Sequence, residues 1–114
     1  MAQRSNRFLT ALIVASAALL VAATAAMAAR VVGDASANML TGTDQRDRIL
    51  GRGGDDTINA LAGADLVRGG RGADLVNAGR GFDLVQGGEG NDTLNGDERR
   101  DILVGNVGAD TING

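Results

Sequence analysis

The sequence predicts an all-β fold in which short strands alternate with turns and eighteen residues complete one coil of a solenoid. Two regularities support this prediction. The first is that the chain divides from Val32 onward into nine-residue blocks, each ending in an aliphatic residue. Because side chains alternate across a strand, Ile58 points to one side while Thr57 and Asn59 point to the other. Two blocks therefore close one coil, and the aliphatic residues of two sheets meet inside it.

The second regularity is an aspartate at the seventh position of the blocks. The blocks begin at Val32, Thr41, Leu50, Asn59, Arg68, Asn77, Gln86, Asn95 and Val104. Asn38 holds the seventh position of the first block, and the eight later blocks have Asp47, Asp56, Asp65, Asp74, Asp83, Asp92, Asp101 and Asp110. Such a fixed period is the sequence signature of stacked coils.

The residues between the strands form turns that are rich in glycine. Glycine permits positive φ and lets backbone carbonyls converge without β-carbon clashes. Alternate turns lie on the same edge of the solenoid. On the first edge, the glycines that we expect to shape ion sites are Gly51, Gly54, Gly69, Gly70, Gly72, Gly87, Gly88, Gly90, Gly105 and Gly108. On the second edge, the turns starting at Thr41, Asn59, Asn77 and Asn95 each lack the glycine at either the second or the fifth position.

Residues 1–29 have a different character from the repeats. Arg4 and Arg7 precede an apolar run from Phe8 to about Met27, and "AMA" at Ala26–Ala28 has the small-x-small pattern of a signal-peptidase site. This pattern predicts a helical Sec-type signal peptide that is cleaved after about Ala28, and hence a secreted protein. An uncleaved membrane anchor is the alternative, since about 20 apolar residues can span a bilayer. We expect no stable membrane anchor in the mature chain.

The composition restricts the partners of the repeats. The net charge is −3, which argues against nucleic acid because a phosphate backbone needs a basic stripe. Stacked carboxylates repel one another along each edge, so a cation is expected between them. The chain has no His and no Cys, the ligands that zinc and copper prefer. Calcium takes six to eight oxygens from carboxylates and carbonyls, whereas magnesium demands a stricter octahedron.

These blocks resemble the G-G-x-G-x-D-x-U-x nonapeptide of the RTX, or haemolysin-type, calcium-binding repeats. "GGRGADLV" (Gly69–Val76) and "GGEGNDTL" (Gly87–Leu94) match it fully, and the resemblance extends over about residues 32–112. It implies a right-handed parallel β-roll that holds several Ca²⁺ ions between turns of successive coils and folds when calcium is present. On this basis residues 1–29 are the signal peptide, 30–40 a degenerate cap or first repeat, and 41–114 the β-roll.

The expected calcium sites differ between the edges. Three strong sites are predicted on the first edge, between Asp56 and Asp74, Asp74 and Asp92, and Asp92 and Asp110. Weaker sites on the second edge would use Asp47, Asp65, Asp83 and Asp101. The alternative for each aspartate is a turn residue that bonds its own backbone. Eight aspartates in unbroken register favour calcium over that alternative.

The outer faces of the two sheets suggest a contact surface. One face should show a Thr-x-Asn pattern, and the other should be more apolar, with Leu66, Leu84 and Ile102. A contiguous apolar strip is a candidate surface for a protein or polysaccharide partner. The predicted function is a secreted calcium-binding protein without enzymatic activity, since the sequence offers no nucleophile–base pair. A calcium-rigidified adhesion module, or the detached RTX part of a secreted enzyme or toxin, remains as an alternative.

Overall fold

The computed structural model describes residues 9–11, 19–22 and 28–114. All regular secondary structure in these residues is β-strand. Most of the predicted signal-peptide helix at 1–29 lies outside the described residues, and the described pieces of that segment, 9–11, 19–22 and 28–29, contain strand and no helix. The described residues contain no helix with the length and apolar character needed to cross a membrane.

In the described ranges, twelve strands form two parallel six-stranded sheets, and successive strands alternate between them. The first sheet contains β1 (Leu9–Ala11), β3 (Ala29–Val32), β5 (Arg48–Leu50), β7 (Leu66–Arg71), β9 (Leu84–Glu89) and β11 (Ile102–Val107), in that order. The second sheet contains β2 (Leu19–Ala22), β4 (Asn38–Thr41), β6 (Thr57–Asn59), β8 (Leu75–Asn77), β10 (Thr93–Asn95) and β12 (Thr111–Asn113).

The strand register confirms the predicted coil of eighteen residues. Ile49 pairs with Val67 in the first sheet, and Ile58 pairs with Val76 in the second. The first coil departs from this period, because Leu9 pairs with Ala29 and Leu19 pairs with Asn38. These pairs are twenty and nineteen residues apart, so the regular period begins only with β3 and β4.

The core is a double row of aliphatic side chains between the sheets, as the block pattern predicts. Eight of them are fully buried, with 0% exposure: Val31, Leu40, Ile49, Ile58, Val67, Val76, Val85 and Leu94. In the last described coil Leu103 packs against this core only in part, and Ile112 is 47% exposed. Each coil therefore gains its apolar burial from the coils stacked on it.

The turns keep their shape through residues in the left-handed region. Gly70 has φ +98°, and a β-carbon there would collide with the carbonyl oxygen of Arg52 in the preceding coil. Gly72 has φ +113° and approaches the carbonyl oxygen of Gly54 in the same way. The glycines at these positions let neighbouring turns stack with their backbones in contact.

A ladder of asparagine side chains runs along the outside of the second sheet. The Nδ2 atom of Asn77 donates to Oδ1 of Asn59 at 2.9 Å, and Asn95 donates to Asn77 at 2.9 Å. Asn113 extends the series by donating to Asn95 at 2.7 Å. The predicted Thr-x-Asn face is thus internally hydrogen-bonded, and the half-buried amides tie successive coils together.

Candidate calcium-binding turns

The seventh-position aspartates form one ladder along each edge. The Oδ1 atom of Asp74 accepts a hydrogen bond from the backbone N–H of Asp56 at 2.8 Å, and Asp92 accepts from Asp74 at 2.8 Å. The second edge repeats this geometry, since Asp65 accepts from Asp47 at 2.7 Å. The same bond is made by Asp47, Asp56, Asp83, Asp101 and Asp110 with residues eighteen positions earlier. One oxygen of each carboxylate is therefore used to hold the stack together.

The other carboxylate oxygen has no partner in most of these turns. Among the described residues, buried Oδ2 atoms without a hydrogen bond belong to Asp56, Asp65, Asp74, Asp83 and Asp92. These five side chains are only 1–3% exposed. An unpaired buried carboxylate oxygen is costly, and a native structure normally supplies it with a partner. A bound cation is a partner of the right charge.

The second-position glycine leaves a space beside this free oxygen. A β-carbon on Gly69 would stand 2.5 Å from Asp74 Oδ2 and 2.7 Å from the carbonyl oxygen of Gly87 in the next coil. Gly51 is placed in the same way against Asp56 Oδ2 and the Gly69 carbonyl oxygen. Gly87 and Gly105 likewise face Asp92 and Asp110. Carboxylate and carbonyl oxygens thus converge from two coils on the turns of Asp56, Asp74 and Asp92.

This donor set fits calcium. Calcium is coordinated by carboxylate and backbone carbonyl oxygens with flexible geometry. The described residues contain no cluster of three or more carboxylates that would hold a metal by side chains alone. Backbone oxygens from the glycine turns must therefore complete any site. The positive-φ glycines predicted as site residues, Gly54, Gly70, Gly72, Gly88, Gly90 and Gly108, set the path of that backbone.

Burial raises the pKa of the aspartates that have a free oxygen. The pKa of Asp56 and of Asp74 rises to about 7, mainly because burial disfavours the charged form. The same cause raises the pKa of Asp65 to about 8 and that of Asp83 to about 6. The backbone N–H bond to each carboxylate opposes this shift, and neighbouring aspartates add to it. A cation in the turn would stabilise the charged form that burial disfavours.

The two edges differ in the space beside the carboxylate. Ala60 and Ala78 occupy the second position in two second-edge turns, and both are fully buried. Their β-carbons take up the space that glycine leaves open in the turns of Asp56 and Asp74. Asp65 and Asp83 nevertheless have free Oδ2 atoms, so these two turns have the charge for an ion but less room.

Asp47 differs from the other predicted ligands. Its Oδ2 accepts the backbone N–H of Thr43 at 2.6 Å, and its Oδ1 accepts the Thr43 hydroxyl at 2.8 Å. Oδ1 also accepts the N–H of Ala29 at 2.9 Å. Thr43 thus provides the partner that a cation would provide elsewhere. In the sequence, this difference is indicated by a threonine at the third position of the block, where the two fully matching repeats have Gly70 and Gly88.

The turn around Asp34 contains polar atoms that the block pattern did not single out. Among the described residues, Asp34 Oδ2 and Asn38 Nδ2 are also buried without a hydrogen bond. Asn38 Oδ1 accepts the N–H of Asp34 at 2.8 Å and faces the position of a Gly33 β-carbon at 2.5 Å. Asn38 therefore takes the place of the aspartate in this turn. Asp34 lies at the third position, outside the aspartate register, which is why the repeat pattern missed it.

Comparison with known proteins adds an independent line of evidence. The model of the RTX calcium-binding nonapeptide repeat matches four overlapping segments, residues 32–67, 51–85, 68–98 and 86–114. No curated protein and no solved structure matches the chain. The matched segments cover every described turn that contains a seventh-position aspartate. The chain belongs to the family of RTX calcium-binding nonapeptide repeat proteins.

Proposed function

We propose that this chain is a secreted protein that folds into a right-handed β-roll when its turns bind several Ca²⁺ ions. One observation carries the proposal: on the first edge, the buried Oδ2 atoms of Asp56, Asp74 and Asp92 have no hydrogen bond and lie beside backbone carbonyls of the next coil. The right-handed winding is supported by the strong preference for that hand in connections between parallel strands of one sheet.

Calcium would act here as a structural ion. Without it, carboxylates with raised pKa values lie above one another along each edge. An ion that binds only the folded state adds RT ln(1 + [L]/Kd) of stability for each site. Several sites on one small solenoid would therefore make folding steeply dependent on calcium concentration.

Asp56, Asp74, Asp92 and Asp110 are the proposed carboxylate ligands of the first edge. Gly51, Gly69, Gly87 and Gly105 provide the open space and carbonyl oxygens beside them. Asp65, Asp83 and Asp101 are proposed as weaker ligands on the second edge, and Asp47 as the weakest. The role proposed for these residues is to organise the fold, with no part in a chemical reaction.

Secretion is proposed from the N-terminal sequence. The basic head, the apolar run and "AMA" at Ala26–Ala28 support cleavage after about Ala28. Residues 30–40 would then begin the mature protein as a degenerate first repeat, followed by the roll at 41–114. N-terminal sequencing of the protein from the culture medium tests this: the expected sequence begins near Ala29, and an intact N-terminus would contradict it.

The experiment that tests the central proposal is a calcium titration followed by far-UV circular dichroism, with magnesium as the control. The expected result is a transition from coil to β-structure with calcium and none with magnesium at the same concentration. Isothermal titration calorimetry on the same samples counts the ions. An equal response to both metals, or a β-spectrum that does not depend on calcium, would contradict the proposal.

A further inference from the structure

A groove of about 780 Å³ crosses the outer face of the first sheet, beside the second-edge turns. One wall is a row of strand residues in parallel register, in which Arg30 pairs with Arg48, Arg48 with Leu66, and Leu66 with Leu84. The other wall is formed by turn residues that precede the seventh-position aspartates, and Phe82 is the largest of them. We call this feature the first-sheet groove.

The two ends of the first-sheet groove differ in character. Arg30, Arg46 and Arg48 surround one end, and all three side chains are exposed. The other end is apolar, with Phe82 57% exposed and Ile102 50% exposed. A ligand that fills the groove would therefore meet positive charge at one end and mostly apolar surface along the rest, where the buried residues Asp65 and Asp83 also border the groove.

The arginine end has unbalanced charge. Arg30 and Arg48 are direct neighbours on adjacent strands, and like charges placed opposite each other are destabilising. Within the described part of the chain, the ion pairs are Arg71–Glu89 and Arg80–Glu98, so neither involves these arginines. Asp47 borders the groove but is only 2% exposed, and its oxygens accept hydrogen bonds from Thr43 in its own turn and from Ala29 in the preceding coil. An anion at this end would relieve the repulsion between the guanidinium groups.

The wall of the groove that is formed by the strands excludes an added peptide strand. Four of its strands, β3, β5, β7 and β9, are paired on both sides, and of the described strands in the groove β11, beneath Ile102, is the end strand. Peptide recognition by strand addition needs an unpaired sheet edge, which these inner strands do not offer. The occupant must therefore bind through one charged end and an otherwise apolar body.

We propose that the first-sheet groove binds a single-chain anionic amphiphile, a long-chain carboxylate. The carboxylate lies among Arg30, Arg46 and Arg48, and the hydrocarbon chain follows Leu66, Leu84 and Phe82. Four strand spacings separate Arg30 from Ile102, which gives a length of about 19 Å at roughly 4.8 Å per strand. Predominantly apolar walls with a few convergent polar groups are typical of small-molecule sites.

The test uses the full chain in calcium, with its β-structure checked by circular dichroism. The probes are dansyl-labelled undecanoate and its uncharged methyl ester, and fluorescence enhancement measures binding. The double variant Arg46→Gln/Arg48→Gln should weaken binding of the carboxylate about tenfold, as expected for loss of charge-assisted hydrogen bonds, and leave the ester unchanged. Phe82→Ser should weaken the binding of both probes.

Two matched controls separate the groove from the general surface. Arg68→Gln removes one exposed arginine, half the charge that the double variant removes, from the same sheet outside the groove, and Leu75→Ser removes an exposed apolar residue from the other sheet. Neither control should change the affinity for either probe. The proposal is overturned if Arg68→Gln weakens carboxylate binding as much as the double variant does. It is equally overturned if phosphatidylglycerol vesicles bind the chain while the soluble probe does not, because the surface would then recognise a membrane.

Discussion

Thr43 donates two hydrogen bonds to Asp47, from its backbone N–H to Oδ2 at 2.6 Å and from its hydroxyl to Oδ1 at 2.8 Å. No such donor serves Asp74 within the described residues, where Oδ2 is buried and free. The two aspartates occupy the same position in the repeat and have the same backbone bond through Oδ1. A single residue in the turn therefore decides whether the carboxylate is satisfied by the protein or left for an ion.

The first prediction concerns these two carboxylates. Asp74→Asn should raise the calcium concentration at the folding midpoint about tenfold or more, since a hydrogen bond or ligand of a charged group is worth roughly 1.5–3 kcal/mol. Asp47→Asn should shift the midpoint less than Asp74→Asn does, because it loses a hydrogen bond from Thr43 or Ala29 but no expected ion ligand. Calcium titrations of both variants by circular dichroism measure the difference. Equal shifts would show that Asp47 is also an ion ligand.

The second prediction concerns the space in front of the carboxylate. Gly69→Ala should greatly weaken calcium binding, because its β-carbon would stand 2.5 Å from Asp74 Oδ2. Ala78→Gly should strengthen binding on the second edge by opening the turn of Asp83, although added glycine costs roughly 0.5–1 kcal/mol of backbone entropy. Calorimetric titration reports the affinity and the number of ions for each variant.

The matched control for this pair is Gly53→Ala. It makes the same substitution on the first edge, but its β-carbon would meet nothing closer than the Ala35 Cα at 3.3 Å. Calcium affinity should remain close to that of the parent protein. If Gly53→Ala weakens calcium binding as strongly as Gly69→Ala, turn flexibility and not the space beside the carboxylate controls the site.

The coil and its register could be predicted from the sequence because two independent signals have the same period. The aliphatic position of Ile49 and Val67 specifies the inner face, and the aspartate position of Asp56 and Asp74 specifies the turns. A shift by one residue would move both sets to the wrong side of the strand. Because the two signals agree, the coil length and the strand register of a nine-residue repeat can be predicted from the sequence alone.

The side-chain contacts between coils could not be predicted, because they depend on which residue lies eighteen positions away and on the distance between the two side chains. The sequence shows asparagines at Asn59 and Asn77, but only the geometry shows that their amides are within 2.9 Å of each other. The pairing of Leu9 with Ala29 breaks the period and has no counterpart in the repeats. Arg30 precedes the first block, whereas Arg46 and Arg48 lie in the block that begins at Thr41, and they meet only because β3 and β5 are adjacent.

The third prediction tests the asparagine ladder. Asn77→Ala removes two side-chain hydrogen bonds, one to Asn59 and one to Asn95, and should lower the free energy of unfolding by about 1–3 kcal/mol. Asn113→Ala removes only the bond to Asn95 and should cost about half as much. Urea unfolding at saturating calcium gives both values. If both variants lose only a similar small amount of unfolding free energy, water replaces the hydrogen bonds of the asparagine ladder and the ladder does not stabilise the fold.

The fourth prediction concerns strain in the turn that contains Asp101. Arg99 has φ +86°, and the N–H of Glu98 lies 3.4 Å from the Gly79 carbonyl oxygen, compared with 2.9 Å for the same bond from Arg80 to Leu61. Arg99→Gly should stabilise the roll by about 1 kcal/mol, since a non-glycine residue in this region costs roughly 1–3 kcal/mol. Arg100→Gly removes the same charge without relieving a positive φ, and thermal unfolding should show no stabilisation for it.

The fifth prediction concerns pH: without calcium the stability of the fold should fall as the pH rises, whereas the apparent affinity for calcium should increase. Burial raises the pKa of Asp56 and Asp74 from 3.8 to about 7 in the folded chain, so without calcium the folded state binds more protons than the unfolded state. The calcium-free fold should therefore be most stable at low pH and lose stability as the pH rises from about 4 to about 7. Calcium competes with these protons, so its apparent affinity should rise over the same interval.

Circular dichroism at pH 5 and pH 8, with chelator and with calcium, measures both parts of this dependence. With chelator, β-structure should be greater at pH 5, and the calcium midpoint should be lower at pH 8. Asp74→Asn removes one titrating carboxylate and should reduce the pH dependence in chelator, whereas Asp55→Asn changes an exposed neighbour and should reduce it less. A calcium-free fold that gains stability as the pH rises would contradict this prediction. It would mean that the carboxylates are solvated and charged in the absence of the ion, and the burial of the free Oδ2 atoms would then no longer support their assignment as ion ligands.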